Sequence, residues 1–273
     1  MKKLLSFVLI IILAFSFSVP FLSERISSDE QTAFEAARHW QTEKRLYALY
    51  EKICACYSQG NYSGCSSQCK SWLETASPTE YSELRLDVLF KKAISEYECQ
   101  HLSDALASCS DALELSENCA EVYLLKSKIF LSLNDTESEK EALKGYIAIS
   151  GDKSLCARVG AIELENGDLL SAINAFNEYD LSCLSPIDST DSAIYSRGVC
   201  YMSLSDYVRA AEDFRRCFEN GVERDNSAFD LAVCEMKLGE TSKAKEGFEY
   251  CAARSFRAEE AKALIELCNT ILQ

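Results

Sequence analysis

A chain of 273 residues, 48% of them apolar, with only three prolines and ten glycines, has enough apolar surface to bury a core and few residues that break helices. This excludes a disordered chain, and the long stretches rich in Ala, Leu, Glu, Lys and Ser point to an all-α protein. The formal charge of −15, with no basic cluster denser than Arg215-Arg216, repels phosphate backbones and anionic headgroups, so nucleic acid is excluded as a partner.

The chain opens on Met1-Lys2-Lys3, an apolar run from Leu4 to Phe17 interrupted only by serine, and small residues before Pro20. This is the layout of a secretory signal peptide over residues 1–18, with Ser16 and Ser18 flanking the cut. The alternative is an uncleaved membrane anchor reaching Leu22, although its uninterrupted part falls short of the ~20 apolar residues of a spanning helix. Either way the expected location is exported: secreted, periplasmic or otherwise extracytoplasmic, or anchored at the outer face. The membrane enters only through that anchor, and the first cysteine, Cys54, lies too far along for a lipid attachment. Cleavage removes two lysines and no acid, taking the charge from −15 to −17.

Residues 19–45 follow as a helical extension, in which Asp29 to Arg45, with Phe34, Ala37, Trp40 and Gln41, is expected to run into the first repeat. Beyond it the sequence repeats. Gly198, Tyr201, Leu204, Asp206, Ala210, Phe214 and Cys217 stand 34 residues before Ala232, Glu235, Leu238, Glu240, Ala244, Phe248 and Cys251. The register of this small-residue site walks back through Ala244, Ala210, Ala172, Glu139, Ala105 and Cys65, each followed four residues later by Phe248, Phe214, Phe176, Leu143, Cys109 and Cys69. The two long spacings coincide with Pro78 and Pro186, so the insertions fall in loops between repeats.

The run Gly198-x2-Tyr201-x2-Leu204-x-Asp206-Tyr207-x2-Ala210-x3-Phe214 resembles the tetratricopeptide repeat, or TPR, in which small residues let two antiparallel helices approach and bulky ones fill the gaps. The resemblance implies a right-handed superhelical stack of about six TPR-like helix pairs, over residues 46–85, 86–119, 120–152, 153–190, 191–224 and 225–257. Residues 258–273, with Ala261, Leu264, Ile265, Cys268 and Leu272 on helical spacing, form a closing helix. Three departures stand out: Arg197 where the family has leucine, Glu139 where it has alanine, and Cys65 with Cys69 at the paired packing sites. The third pair is expected to be the least regular.

Fourteen cysteines in an exported chain raise the prospect of disulfides. Cys183, Cys200, Cys217, Cys234, Cys251 and Cys268 lie 17 apart, half the repeat, where the family carries small residues. They read as small apolar fillers, with Cys217 to Cys234 or Cys251 to Cys268 as the nearest alternatives for a bridge. Cys54, Cys56, Cys65 and Cys69 flank the Ser58 to Tyr62 turn, and Cys56 with Cys65 is the best-placed disulfide pair. Zinc is disfavoured there because C-x2-C knuckles are absent, so no metal and no cofactor are expected.

The two histidines, His39 and His101, lie near no activated nucleophile, and phosphate-binding loops and hydrolase motifs are absent from the sequence. Carboxylate pairs such as Glu163/Glu165 read as solvated helix faces. No catalytic residue is assigned.

In the family the first helix of each pair lines a concave groove. Mapped onto this chain, that face carries Tyr50, Tyr57, Phe90, Tyr97, Leu124, Leu131, Tyr195, Val199, Met202, Phe229, Val233 and Met236, spaced i, i+4, i+7 within each helix. The resemblance therefore implies a non-catalytic scaffold that binds a peptide or helix of another protein through an apolar groove. Two alternatives stay open: a self-assembling structural repeat protein forming a homo-oligomer, and an accessory subunit of a cell-envelope enzyme complex. The same stripes are also readable as internal core, covered by the Asp29 to Arg45 segment.

Overall fold

The computed structural model describes residues 28–77, 79, 81–182 and 192–273. The expected signal or anchor, the Pro78 and Pro186 positions and Cys183 lie outside them. All thirteen elements among the described residues are α-helices: α1 (Ser28–Ser58), α2 (Tyr62–Thr75), α3 (Ser82–Glu98), α4 (Leu102–Leu115), α5 (Ala120–Ser132), α6 (Thr136–Ser150), α7 (Cys156–Glu165), α8 (Leu169–Ser182), α9 (Ala193–Ser203), α10 (Tyr207–Asn220), α11 (Arg224–Lys237), α12 (Thr241–Ala253) and α13 (Ala258–Ile271). They divide into two compact units, before and after Glu117. The first unit stacks the pairs α1/α2 and α3/α4; the second stacks α5/α6, α7/α8, α9/α10 and α11/α12, with α13 packed on α12.

The size complementarity seen in the sequence fixes how each pair closes. Both rows of second-helix residues, from Cys65 and Cys69 to Ala244 and Phe248, are buried. A Cβ on Gly160 would lie 2.7 Å from the Phe176 ring, and one on Gly198 would lie 2.8 Å from the Phe214 ring. In the last pair the small residue sits on the other partner, where a Cβ on Gly247 would meet that of Ala232 at 2.7 Å. In the first pair the sizes reverse, with fully buried Ile53 filling the space that Cys65 and Cys69 leave.

The turns within pairs obey the same register. Gly60, Gln100, Asn134, Gly167, Ser205 and Gly239, each seven residues after the packing site of the first helix, all have φ between 57° and 81°. Non-glycine residues accept this left-handed geometry in three of the six turns. The next residue starts the second helix. Asn61, Asp135, Asp168 and Asp206 there accept a hydrogen bond from the backbone N–H three residues on.

Successive pairs in the second unit are joined by a polar ladder whose first-helix members, Glu163, Arg197 and Glu235, are buried. Lys144, Asn177 and Arg215, each five residues past the small site of a second helix, reach Glu163, Arg197 and Glu235 of the next pair's first helix at 3.2, 2.8 and 3.2 Å. Two of the three departures from the repeat pattern join this ladder. Arg197 lies against Asp213 through two bonds of 2.9 and 2.6 Å, and buried Glu139 accepts both 2.8 Å bonds of the Arg158 fork. In the first unit the corresponding carboxylate, Glu96, is held instead by Lys92 at 2.7 Å, Ser108 at 2.6 Å and Ser66 at 3.4 Å.

Helix α1 runs without a break through residue 45, where the extension was expected to meet the first repeat. From Thr32 to Arg45 no side chain is buried, and Trp40 is 59% exposed.

Candidate functional site

The candidate face is built by the first helices of the pairs. In the second unit α7 packs directly on α9, and α9 is tied to α11 by the Tyr195 hydroxyl, which donates to Asp230 at 2.6 Å. Because this face carries residues at i, i+4 and i+7, each helix contributes one stripe. Val199 and Met202 of α9, like Val233 and Met236 of α11, are half-buried: their inner sides pack on the core and their outer sides stay accessible. Residue 267, 34 past Val233, extends the row onto α13, where Leu267 is 47% exposed.

Phe229 departs from the rest of its row. It is 1% exposed, its ring packed edge-on against Phe248 and Phe256 and covered by the Arg257 guanidinium 3.9 Å from its centroid. It is a core residue with a cationic cover, and it offers no contact surface while Arg257 stays in place. Leu131 departs in the other direction, being 55% exposed, whereas Leu124 is half-buried.

In the first unit Tyr50, Tyr57, Phe90 and Tyr97 are all half-buried. The Tyr50 hydroxyl donates to Asp87 Oδ2 at 2.7 Å, while Lys91 donates to Asp87 Oδ1. Lys91 also lies 5.7 Å from the centroid of the Tyr57 ring, which itself packs edge-on against Tyr62. The acceptance of its hydrogen bond by Asp87 pushes the Tyr50 phenol up, with burial adding to it.

The counterpart pair in the second unit is more buried. Burial, reinforced by Asp230, pushes the Tyr195 phenol up, and burial raises the Asp230 carboxyl against the opposing effects of Tyr195 and Arg257. Asp87, Lys91, Asp230 and Arg257 were not among the residues singled out from the sequence. The available signal was an aspartate on the next first helix, 37 residues after Tyr50 and 35 after Tyr195.

A cleft of about 300 Å³ opens elsewhere in the second unit, lined by Phe218, Leu231, Glu235, Lys243, Gly247 and Tyr250 among others. His39 and His101 are exposed. Among the described residues no three or more His, Cys, Asp or Glu side chains converge as a metal site, and no helix is long and apolar enough to cross a membrane.

The cysteines of the 17-residue ladder from Cys200 to Cys268 are buried thiols. Burial pushes Cys200 and Cys251 up to about 11 and Cys234 up to about 12, which keeps them protonated and unreactive. Cys56 and Cys65 are also thiols in this structure, the latter 3.8 Å from the Ile53 carbonyl oxygen.

No family model matches the chain, and no curated protein matches it. Solved structures do. YrrB, described as a TPR protein with an unusual peptide-binding site, is 14% identical over 67% of this chain and 91% of its own, with a TM-score of 0.50. A tetratricopeptide repeat protein from Parabacteroides merdae is 14% identical over 82% of this chain and 99% of its own, with a TM-score of 0.46. MamA is 16% identical over 64% and 91%, with a TM-score of 0.49. The likeness to YrrB, together with the buried 34-residue register, establishes that this chain has the all-α fold of the tetratricopeptide repeat proteins.

Proposed function

We propose that the protein is a non-catalytic binding scaffold that takes a helical or extended apolar segment of another protein on the first-helix face of its second unit. The observation that carries this reading is the half-buried row of Val199, Met202, Val233 and Met236 on neighbouring helices. Apolar side chains with one side packed and the other accessible provide anchors already fixed by the core, so little side-chain entropy is lost on binding. The peptide-binding site described for YrrB, whose fold this chain shares, supports the same use. Export through residues 1–18, or anchorage through residues up to 22, belongs to this proposal, as does the division into six repeats.

The test is the double variant Met202→Gln and Met236→Gln, assayed for melting temperature and for binding of neutral amphipathic Leu/Ala/Gln peptides. Weaker binding at an unchanged melting temperature supports an open face. A collapse of stability would show that the row is internal core and overturn the proposal.

Self-association is a second reading, favoured by α13 and the residue that follows it, where Leu267, Ile271 and Leu272 are 47%, 57% and 50% exposed. Sedimentation of Leu267→Gln with Ile271→Gln against the parent chain separates the two. A bridge between Cys56 and Cys65 in an oxidising compartment is proposed with export, and counting thiols in unreduced protein decides it. With every thiol free, native alkylation is expected at Cys54, Cys56, Cys99 and Cys119, the half-buried cysteines among the described residues, and at the remaining described cysteines only after unfolding.

A further inference from the structure

We propose that the first-helix face of the second unit recognises a lysine of its partner through Asp230, so that the segment bound there is basic as well as apolar. The inference rests on the binding reading above and specifies the partner's chemistry.

The first unit supplies a chemical comparison, one helical turn out of register: Asp87 stands six residues before the packing site Ala93, whereas Asp230 stands two before Ala232, the position that Lys91 holds in the first unit. There the two oxygens of the Asp87 carboxylate are both engaged: Oδ2 by the Tyr50 hydroxyl at 2.7 Å and Oδ1 by the Lys91 ammonium. The lysine comes from the same helix, four residues on, and it also rests over the Tyr57 ring.

The second unit forms the same kind of tyrosine–aspartate bond from this other position, and its carboxylate is engaged at one oxygen. The Tyr195 hydroxyl engages Asp230 Oδ2 at 2.6 Å, but the residue four positions on is Cys234, fully buried and without charge. The neighbouring cation, Arg257, stacks on Phe229 and gives its Nε and Nη2 hydrogens to Glu260 at 2.8 and 2.9 Å. Among the described residues Asp230 Oδ1 therefore has no hydrogen-bond donor.

The surroundings favour a second cation. Glu223 acts on Tyr195 and Glu260 on Asp230 with negative fields, which Arg257 opposes. A partly buried carboxylate with one unengaged oxygen gains most from a compact ammonium, which needs one acceptor, whereas a guanidinium fork needs two. On the same face Val199, Val233 and Met236 are placed to take the lysine stem and the apolar residues beside it.

The experiment is a double-mutant cycle on the full chain, using a neutral Leu/Ala/Gln helical peptide with one central lysine and its Lys→Gln twin. On the parent chain the lysine peptide is expected to bind about tenfold tighter or better. Asp230→Asn removes that difference and leaves the affinity for the glutamine twin unchanged. Glu212→Gln, the same charge change on the exposed side of α10, preserves it. Acetylating the peptide lysine abolishes the gain without touching the protein.

Equal binding of both peptides to the parent chain overturns the lysine assignment alone, as does a difference that survives Asp230→Asn. Binding of neither peptide overturns this inference and the binding reading together. A dimer that Asp230→Asn returns to monomer would put a second copy on this face and would also overturn the assignment.

Discussion

The two units place a tyrosine at the same register position and pair it with an aspartate of the next first helix, but from positions one helical turn apart. In the first, Tyr50, Asp87 and Lys91 close a polar cluster over Tyr57 from within the unit; in the second, Tyr195 and Asp230 pair, and among the described residues no lysine joins them. Their interiors differ as well. The first unit packs a bulky Ile53 against small cysteines and holds Glu96 with serines and one lysine, whereas the second packs Gly160 and Gly198 against phenylalanines and joins its pairs through charged side chains. The difference teaches that a repeat tolerates either assignment of large and small residues, provided each pair fills its space.

The largest effects should come from breaking the polar ladder. Asp213→Ala takes both Asp213 bonds from the Arg197 guanidinium, 9% exposed, and is expected to cost roughly 3–5 kcal/mol. The first-unit counterpart, Ser108→Ala, leaves Glu96 with Lys92 and should cost only about 1 kcal/mol. Thermal or urea unfolding of both variants measures the contrast.

Next come the reversed packing sizes. Ile53→Ala opens a cavity in the first unit worth roughly 2–5 kcal/mol, whereas Gly198→Ala in the second fails by overpacking on Phe214, at roughly 1–3 kcal/mol. If Gly198→Ala were neutral, the close approach of α9 and α10 would be wrong.

Acid should then separate the units. Three second helices of the second unit, α6, α8 and α10, are preceded by Asp135, Asp168 and Asp206, whose carboxyls lie below the usual aspartate range because Ser138, Ser171 and Arg209 donate hydrogen bonds to them. A carboxyl depressed by folding stabilises above its unfolded pKa, and that contribution is lost as pH falls through the folded value. The first unit begins its second helices on Asn61, which does not titrate, and on His101, which makes no side-chain cap. Hydrogen exchange between about pH 5 and pH 2 is therefore expected to lose protection in α6, α8 and α10 before α2 and α4.

The smallest effect is the most telling for function. Burial raises the Asp230 carboxyl, so ionisation costs the folded chain stability that is lost as pH rises through the folded value. Asp230→Asn should melt no lower than the parent at neutral pH, the mark of a residue kept for binding rather than for the fold. A marked fall in melting temperature would assign it a structural role.

Much of this was legible in the sequence. The small-to-bulky register alone led to twelve second-helix residues, all of them buried, including the improbable Glu139 and the cysteine pair. What the register could not show was how Glu139 is tolerated, because its partner Arg158 lies on the following pair. It also placed Phe229 on the stripe, since period fixes a residue's direction but not what lies over it; the cover depends on Arg257, at the turn into α13, where φ is 45°. The Tyr195–Asp230 pair stayed hidden for a similar reason: joining residues 35 apart needs the rotamers of both, and an isolated aspartate in an acidic chain reads as solvated surface.

The central claim is that the row through Val199, Met202, Val233 and Met236 is accessible in the folded chain, and methionine oxidation tests it directly. Besides Met1 the chain has two methionines, Met202 and Met236, and both lie on this row. With dilute peroxide under native conditions, both are expected to form sulfoxides well before the chain unfolds, and bound lysine peptide is expected to protect them. Oxidation of both only at the rate of global unfolding would show that the row is sealed core and contradict the account.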